Sequence, residues 1–350
     1  MPVSDQQLQA MWHEVLTLSK VRKGETVVVL TNQDSNPRYV EAATEVSASL
    51  GARPFRIDFP PVLNKAAMGT DPTAYVGATP LVGNKAAMEA MRHADLVIDL
   101  MLLLHSPEQE EILKGGTRML LVYEPPEILA RMMPSLEDRR RVLAARKRLG
   151  RAKTMRITSD AGTDFSVKLG QFPVLTEYGF SEAPGRWDHW PSGFLATWPN
   201  ERSAQGRVVL DVGDIIFPFK DYVKSPVAIT IKDGYIRKIE GGFDADFLDS
   251  YMKTFRDREA YAVSHLGWGL QPKAQWTALG LYDKNQTIGM DGRAFYGNFL
   301  FSTGPNTEGG GKRNTPCHMD IPMRNCSVFV DDEPMVVKGK VVPRDQRAAT

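Results

Sequence analysis

The chain has 350 residues, 42% hydrophobic and 24% charged, with a formal net charge of +1. That length exceeds one ordinary core and predicts two domains. The near-neutral charge gives no basis for a nucleic-acid surface or an electrostatic membrane anchor.

In chain order, DQQLQAMWHEVLTL places Leu8, Met11, Trp12, Val15 and Leu16 on one helical face. TVVVLTN (26–32) is a continuous β-branched run, as in a strand covered on both faces. NPRYVEAATEVSASLGA reads as a helix closed by Gly51, and RPFRIDF (53–59) as a second strand. A helix over 84–94 precedes the most apolar run, DLVIDLMLLL (95–104), which is too short to span a bilayer and contains Asp99. It reads as a third strand, and GTRMLLVY (116–123) as a fourth. This βαβ succession predicts an α/β N-terminal domain, residues 1–152, with a mostly parallel sheet. A helix over 135–153 carries a Ser135–Asp138 capping signature and a basic, solvated face. Beyond it, hairpin signals appear at Asp160–Gly162 and Asp233–Gly234. Residues 153–350 are therefore expected to form an α+β domain of mostly antiparallel strands, including GNFLFSTG (297–304) and CHMDIPM (317–323). No G-x-G-x-x-G or P-loop pattern follows the early strands, so the first domain reads as scaffold.

Two cysteines, Cys317 and Cys326, rule out a disulfide framework and a cysteine-rich zinc site. The first 25 residues carry Asp5, Glu14 and Glu25 and no signal-type apolar core. The expected setting is a reducing cytoplasm, with no membrane and no nucleic-acid partner.

The chemistry gathers around four of the six histidines. His318 and Asp320 stand two apart in an extended stretch, which puts them on one face. With His265 in SHLGWGL they make two imidazoles and a carboxylate, a minimal divalent-metal set of the kind used by non-haem Fe(II) oxygenases. A core histidine paired with an aspartate accounts for the spacing equally well. His105 directly follows the apolar run, at the carboxyl end of a parallel strand where α/β sheets place ligand groups. His189 lies in GRWDHWPSGFLATWPN, an aromatic-rich stretch broken by Pro and Gly. It reads as a loop suited to a flat ring, to ordinary packing or to a subunit contact. Glu177 and Ser302 are polar residues in apolar surroundings.

The segments MLLLHSP, GRWDHWPSG, SHLGWGL, NFLFSTGPNTEGGG and TPCHMDIPM, with the matching length, resemble the 2,5-dihydroxypyridine 5,6-dioxygenases of bacterial nicotinic acid and nicotine breakdown. The resemblance covers the whole chain. It implies Fe(II) held by His265, His318 and Asp320, and an aromatic small-molecule substrate cleaved with O₂ to N-formylmaleamate. It also suggests His105 and His189 as the acid–base pair, a role for which histidine is suited. Glu177 and Ser302 are expected to orient the ring through hydrogen bonds. The aromatic stretch at 186–198 and the glycine-rich loop at 304–314 fit a homo-oligomer. More distantly, the layout is similar to the thermophilic-type leucine aminopeptidases, which hold two metals with several glutamates and an H-x-D pair. Here His265 stands where that pattern favours a glutamate, and 197–212 has no clean glutamate ligand stretch, which favours one iron. A metallo-aminopeptidase-like hydrolase and a non-enzymatic metal- or small-molecule-binding protein are the rival readings.

Overall fold

The computed structural model describes residues 2–60, 79–103 and 106–348. Its first layer is a five-stranded parallel sheet in the order Arg53–Phe59, Thr26–Asn32, Leu96–Asp99, Arg118–Val122, Trp187–Trp190. Alternate residues of these strands serve opposite faces. Val27, Val29, Ile98 and Leu120 pack against Leu8, Trp12 and Val15 of helix Asp5–Leu18 and Ala42 and Val46 of helix Pro37–Ser49. Val28, Leu30, Val97 and Met119 pack against Met88 and Met91 of helix Lys85–Arg92 and Ile112 of helix Pro107–Lys114. Both faces of the inner strands Thr26–Asn32, Leu96–Asp99 and Arg118–Val122 are covered, which is why they read as apolar runs, while the edge strand Arg53–Phe59 is largely exposed.

Two elements differ from the sequence expectation. Among the described residues of the run at 95–104, the strand is Leu96–Asp99 alone. The buried Asp99 carboxylate accepts the backbone N–H groups of Met101 at 2.9 Å and Leu103 at 2.7 Å, and Leu102 turns to a φ of 64°. A short acidic side chain capturing the backbone just ahead ends the strand. The aromatic stretch read as a loop holds two buried strands, Trp187–Trp190 and Phe194–Thr197. Their large side chains bury more area as strands than a loop would. Trp190, for example, meets Trp12 edge-on at 5.3 Å. The first of these strands completes the parallel sheet and the second enters an antiparallel one, so this stretch joins the two layers.

The rest of the chain builds two large antiparallel sheets and a two-stranded one, Ile215–Ile216 with Asp221–Tyr222. One has eight strands, among them Thr154–Thr158, Asp164–Lys168, Val227–Lys232 and Tyr235–Gly241, with positive φ at Asp233 and Gly234 in the last turn. The other has five, in the order Met319–Met323, Phe299–Thr303, Val263–Gly269, Phe194–Thr197, Val174–Glu177. They share one core, in which Phe165 of the first sheet meets Phe301 of the second edge-on at 5.9 Å. Helix Leu136–Leu149 closes that core with Val142, Ala145 and Leu149, and Ser135 caps it by accepting from the Asp138 backbone N–H. Among the described residues no helix is long and apolar enough to cross a membrane.

Candidate metal centre

The five-stranded sheet carries the site on three neighbouring strands. On Val263–Gly269 the pairing with Phe299–Thr303 shifts register between Val263 and Leu266, an irregularity that contains His265. Bulges of this kind re-aim a side chain. Ser302 pairs directly with Asp320 on the next strand, so the two share a face. The Ser302 hydroxyl donates to the His265 carbonyl at 2.7 Å and ties the irregular strand in place. His318 stands one residue before the strand Met319–Met323.

The outcome is a tight triangle. His265 Nε2 lies 3.3 Å from His318 Nε2 and 3.3 Å from Asp320 Oδ1, and His318 Nε2 lies 3.4 Å from the same oxygen. Two nitrogens and one oxygen held on a first-row ion by bonds of about 2.0–2.2 Å would be separated by about this much. The surrounding contacts prepare each donor. His318 Nδ1 meets the Thr303 carbonyl at 2.9 Å, which places its proton there and leaves the Nε2 lone pair toward the triangle. Arg293 Nε donates to Asp320 Oδ2 at 2.9 Å, while buried Oδ1 has no well-formed hydrogen bond. Burial alone would raise the Asp320 carboxyl, but the charges of His318, His265 and Arg293 hold it well below the carboxylate range. Burial opposes charge on His318 as well, yet Asp320 and the Thr303 carbonyl raise it above an ordinary imidazole. Among the described residues this is the one His/Cys/Asp/Glu group whose atoms converge to hold a metal ion, and its donors fit one.

Trp198 meets the His265 ring edge-on at 5.8 Å. Gly309, in the glycine-rich loop, passes so close to Trp198 that a Cβ there would lie 2.6 Å from the indole. The neighbouring Glu308 interacts electrostatically with His318 and Asp320, and burial pushes its carboxyl up to about 8.

The remaining sequence candidates divide. His189 lies on the buried strand Trp187–Trp190, with its backbone N–H on Asp188 and its Nε2 buried without a hydrogen-bond partner among the described residues. Burial, then the Arg293 charge, lowers its pKa to about 3, so it is a neutral imidazole. Glu177 ends the strand Val174–Glu177 and accepts from the Ser192 hydroxyl at 2.8 Å. Burial and the nearby Asp188 raise its carboxyl well above the ordinary range. His105 lies outside the described residues. Sequence reasoning missed Arg293 and Glu308. Arg293 sits in GMDGRAF, where no spacing rule points to it, while Glu308 is a lone carboxylate within a glycine-rich loop that could have prompted the question.

The fold and donor set define an α/β protein whose antiparallel half brings two histidines and one carboxylate close enough to hold a metal ion. The family model described as 2,5-dihydroxypyridine 5,6-dioxygenase matches residues 7–343. The 2,5-dihydroxypyridine 5,6-dioxygenase of Pseudomonas putida KT2440 is 57% identical over 349 residues, spanning 99% of this chain and 100% of the relative. A solved structure of 2,5-dihydroxypyridine dioxygenase from the same organism superposes with a TM-score of 0.97, covering 99% of this chain and 100% of that one. The chain belongs to the 2,5-dihydroxypyridine 5,6-dioxygenase family. AmpT from Thermus thermophilus superposes with a TM-score of 0.64 at 14% identity, over 96% of this chain and 100% of its own, and shares the fold.

Proposed function

We propose that the chain is an Fe(II)-dependent dioxygenase that opens the ring of 2,5-dihydroxypyridine with O₂. The product is N-formylmaleamate, with both oxygen atoms incorporated, as a step of nicotinic acid or nicotine breakdown. The observation that carries this reading is the 3.3–3.4 Å triangle of His265, His318 and Asp320 in a chain of this family. These three residues would hold Fe(II), which supplies O₂ activation and a Lewis-acid site for the substrate hydroxyl.

The protein's own groups provide the rest. His189 is a neutral imidazole whose Nε2 has no hydrogen-bond partner among the described residues, so it is available to a substrate hydroxyl as an acid–base candidate. His105, which follows the apolar run 95–104 in the sequence, is the second acid–base candidate. Burial favours the protonated form of Glu177, which could donate to a ring carbonyl oxygen while its other oxygen takes the Ser192 hydroxyl. Ser302 has its hydrogen on the His265 carbonyl and would offer the ring N–H an acceptor lone pair. A two-metal hydrolase would need more carboxylates than the single one in the triangle.

The test is O₂ uptake by protein loaded anaerobically with Fe(II) and then given 2,5-dihydroxypyridine and air. Stoichiometric uptake with loss of the substrate's ultraviolet band supports the reading. Bound metal without uptake, together with cleavage of a chromogenic amino-acid amide under zinc or cobalt, overturns it in favour of a hydrolase. Iron content separates the ligands from the acid–base groups: it should stay high in His105→Ala and His189→Ala and fall in His265→Ala and Asp320→Ala. Iron retained in all four rejects the ligand assignment.

A further inference from the structure

A carboxylate can bind a metal through one oxygen or two, and the second oxygen uses a coordination position. Three protein donors leave up to three positions on a six-coordinate ion, and a second Asp320 oxygen would take one of those that substrate and O₂ must share. In this chain the second oxygen of Asp320 is already engaged by Arg293 Nε at 2.9 Å. Arg293 is itself fixed on two further sides, by Ile288 and Phe217. Its Nη1 donates to the Ile288 carbonyl, its guanidinium lies 3.8 Å from the centroid of the Phe217 ring, and Phe217 donates its backbone N–H to the Asp320 carbonyl at 2.8 Å. Phe217 thus grips both partners of the Arg293–Asp320 contact. The turn that carries Arg293 wraps the same ring, since a Cβ on Gly289 would lie 2.4 Å from it.

The other side of this turn is held by the parallel-sheet half. Glu124, two residues past the strand Arg118–Val122, accepts the Met290 backbone N–H at 2.7 Å and the Thr287 hydroxyl. Arg131 makes a two-pronged pair with Asp291, at 2.6 Å on each oxygen. Such fork-to-fork pairs fix geometry as well as charge. Arg293 follows Asp291 by two residues, so the scaffold layer reaches the carboxylate through one short turn.

We propose that Arg293 is a positioning residue that restricts Asp320 to one-oxygen metal binding through Oδ1, and that Glu124 and the Arg131–Asp291 pair hold it there from the other layer. This rests on the triad reading above. Removing the guanidinium frees Oδ2 to join the metal and close a position.

The test uses the full chain loaded with Co(II), without substrate or O₂. Co(II) uptake by the parent protein that is lost in His318→Ala tests the triad alone, and its failure rejects that reading separately. The loaded proteins are then titrated with imidazole, a neutral probe insensitive to the guanidinium charge, and followed through the visible Co(II) band. Arg293→Gln should keep Co(II), change the band and weaken imidazole binding about tenfold, the scale on which outer-shell partners act. Arg293→Lys should restore binding to within about threefold on the same scale. A packing role would instead lower Tm and Co(II) uptake while leaving the loaded protein's imidazole affinity unchanged. That result, or a lysine variant as weak as the glutamine one, overturns the proposal. If Arg293→Gln does not fold, Arg131→Gln, at the more exposed end of the clamp, should weaken imidazole binding in the same direction by about threefold. An unchanged affinity and band there overturn it as well.

Discussion

The triangle of His265, His318 and Asp320 and the buried group of Glu177, Asp188 and His189 use the same residue types and treat charge in opposite ways. In the triangle, opposite charges face each other closely enough to outweigh burial, so Asp320 stays ionised and His318 is raised. In the second group burial prevails. Glu177 is raised well above its ordinary value, His189 is lowered to about 3, and Asp188 is raised despite the Arg186 guanidinium against it. Burial has a fixed sign for each group, whereas a neighbour's sign is set by geometry. The first arrangement suits a cation, and the second suits hydrogen bonding to an uncharged partner.

The largest expected effect tests the charged half. Asp320→Ala should abolish turnover and lower Fe(II) affinity by at least the roughly 10–100-fold that loss of an outer-shell partner alone costs. Bound iron after gel filtration checks it, and iron retained at parent levels would remove Asp320 from the ligand set. His189→Gln should lower the rate by about 10²–10⁴-fold with iron unchanged, as expected for an acid–base group. A rate within twofold of the parent (a rough limit) would leave His189 as packing.

Stability against pH sharpens the comparison through the neutral group. The contribution of Glu177 is fully present below its unfolded value near 4.5 and is lost as pH rises toward its raised folded value. Glu177→Gln should therefore gain Tm relative to the parent as pH goes from about 5 to 8. The contribution of His189 is present above its unfolded value near 6.5 and is lost as pH falls toward about 3. His189→Gln should gain relative to the parent on acidification, with a limiting slope of about 1.4 kcal/mol per pH unit. Paired melting curves decide this. Two variants tilting the same way would contradict the burial argument. The smallest effect belongs to Ser302→Ala, which should cost about 1 kcal/mol of stability for one hydrogen bond and raise KM by about fivefold. A stability loss with KM unchanged would confine Ser302 to holding the His265 strand.

Local sequence determined the elements whose physics is local. The β-branched run at 26–32, the amphipathic face of Asp5–Leu18 and the Asp233–Gly234 turn each formed where their pattern placed them, because periodicity and backbone preference act over a few residues. His318 and Asp320 were legible as neighbours for the same reason. Their third partner, His265, was a candidate by residue type alone and was assigned through resemblance, since nothing local links it to a residue 53 positions away. The tertiary structure decided the rest. It drew the aromatic stretch at 187–197 into two sheets because burying tryptophans outweighs its broken pattern. It also brought Arg293 onto Asp320 through a turn anchored by Glu124 and Arg131 in the other layer. Electrostatic neighbours across the fold, and the pKa values they impose, depend on distances that no spacing in one dimension encodes.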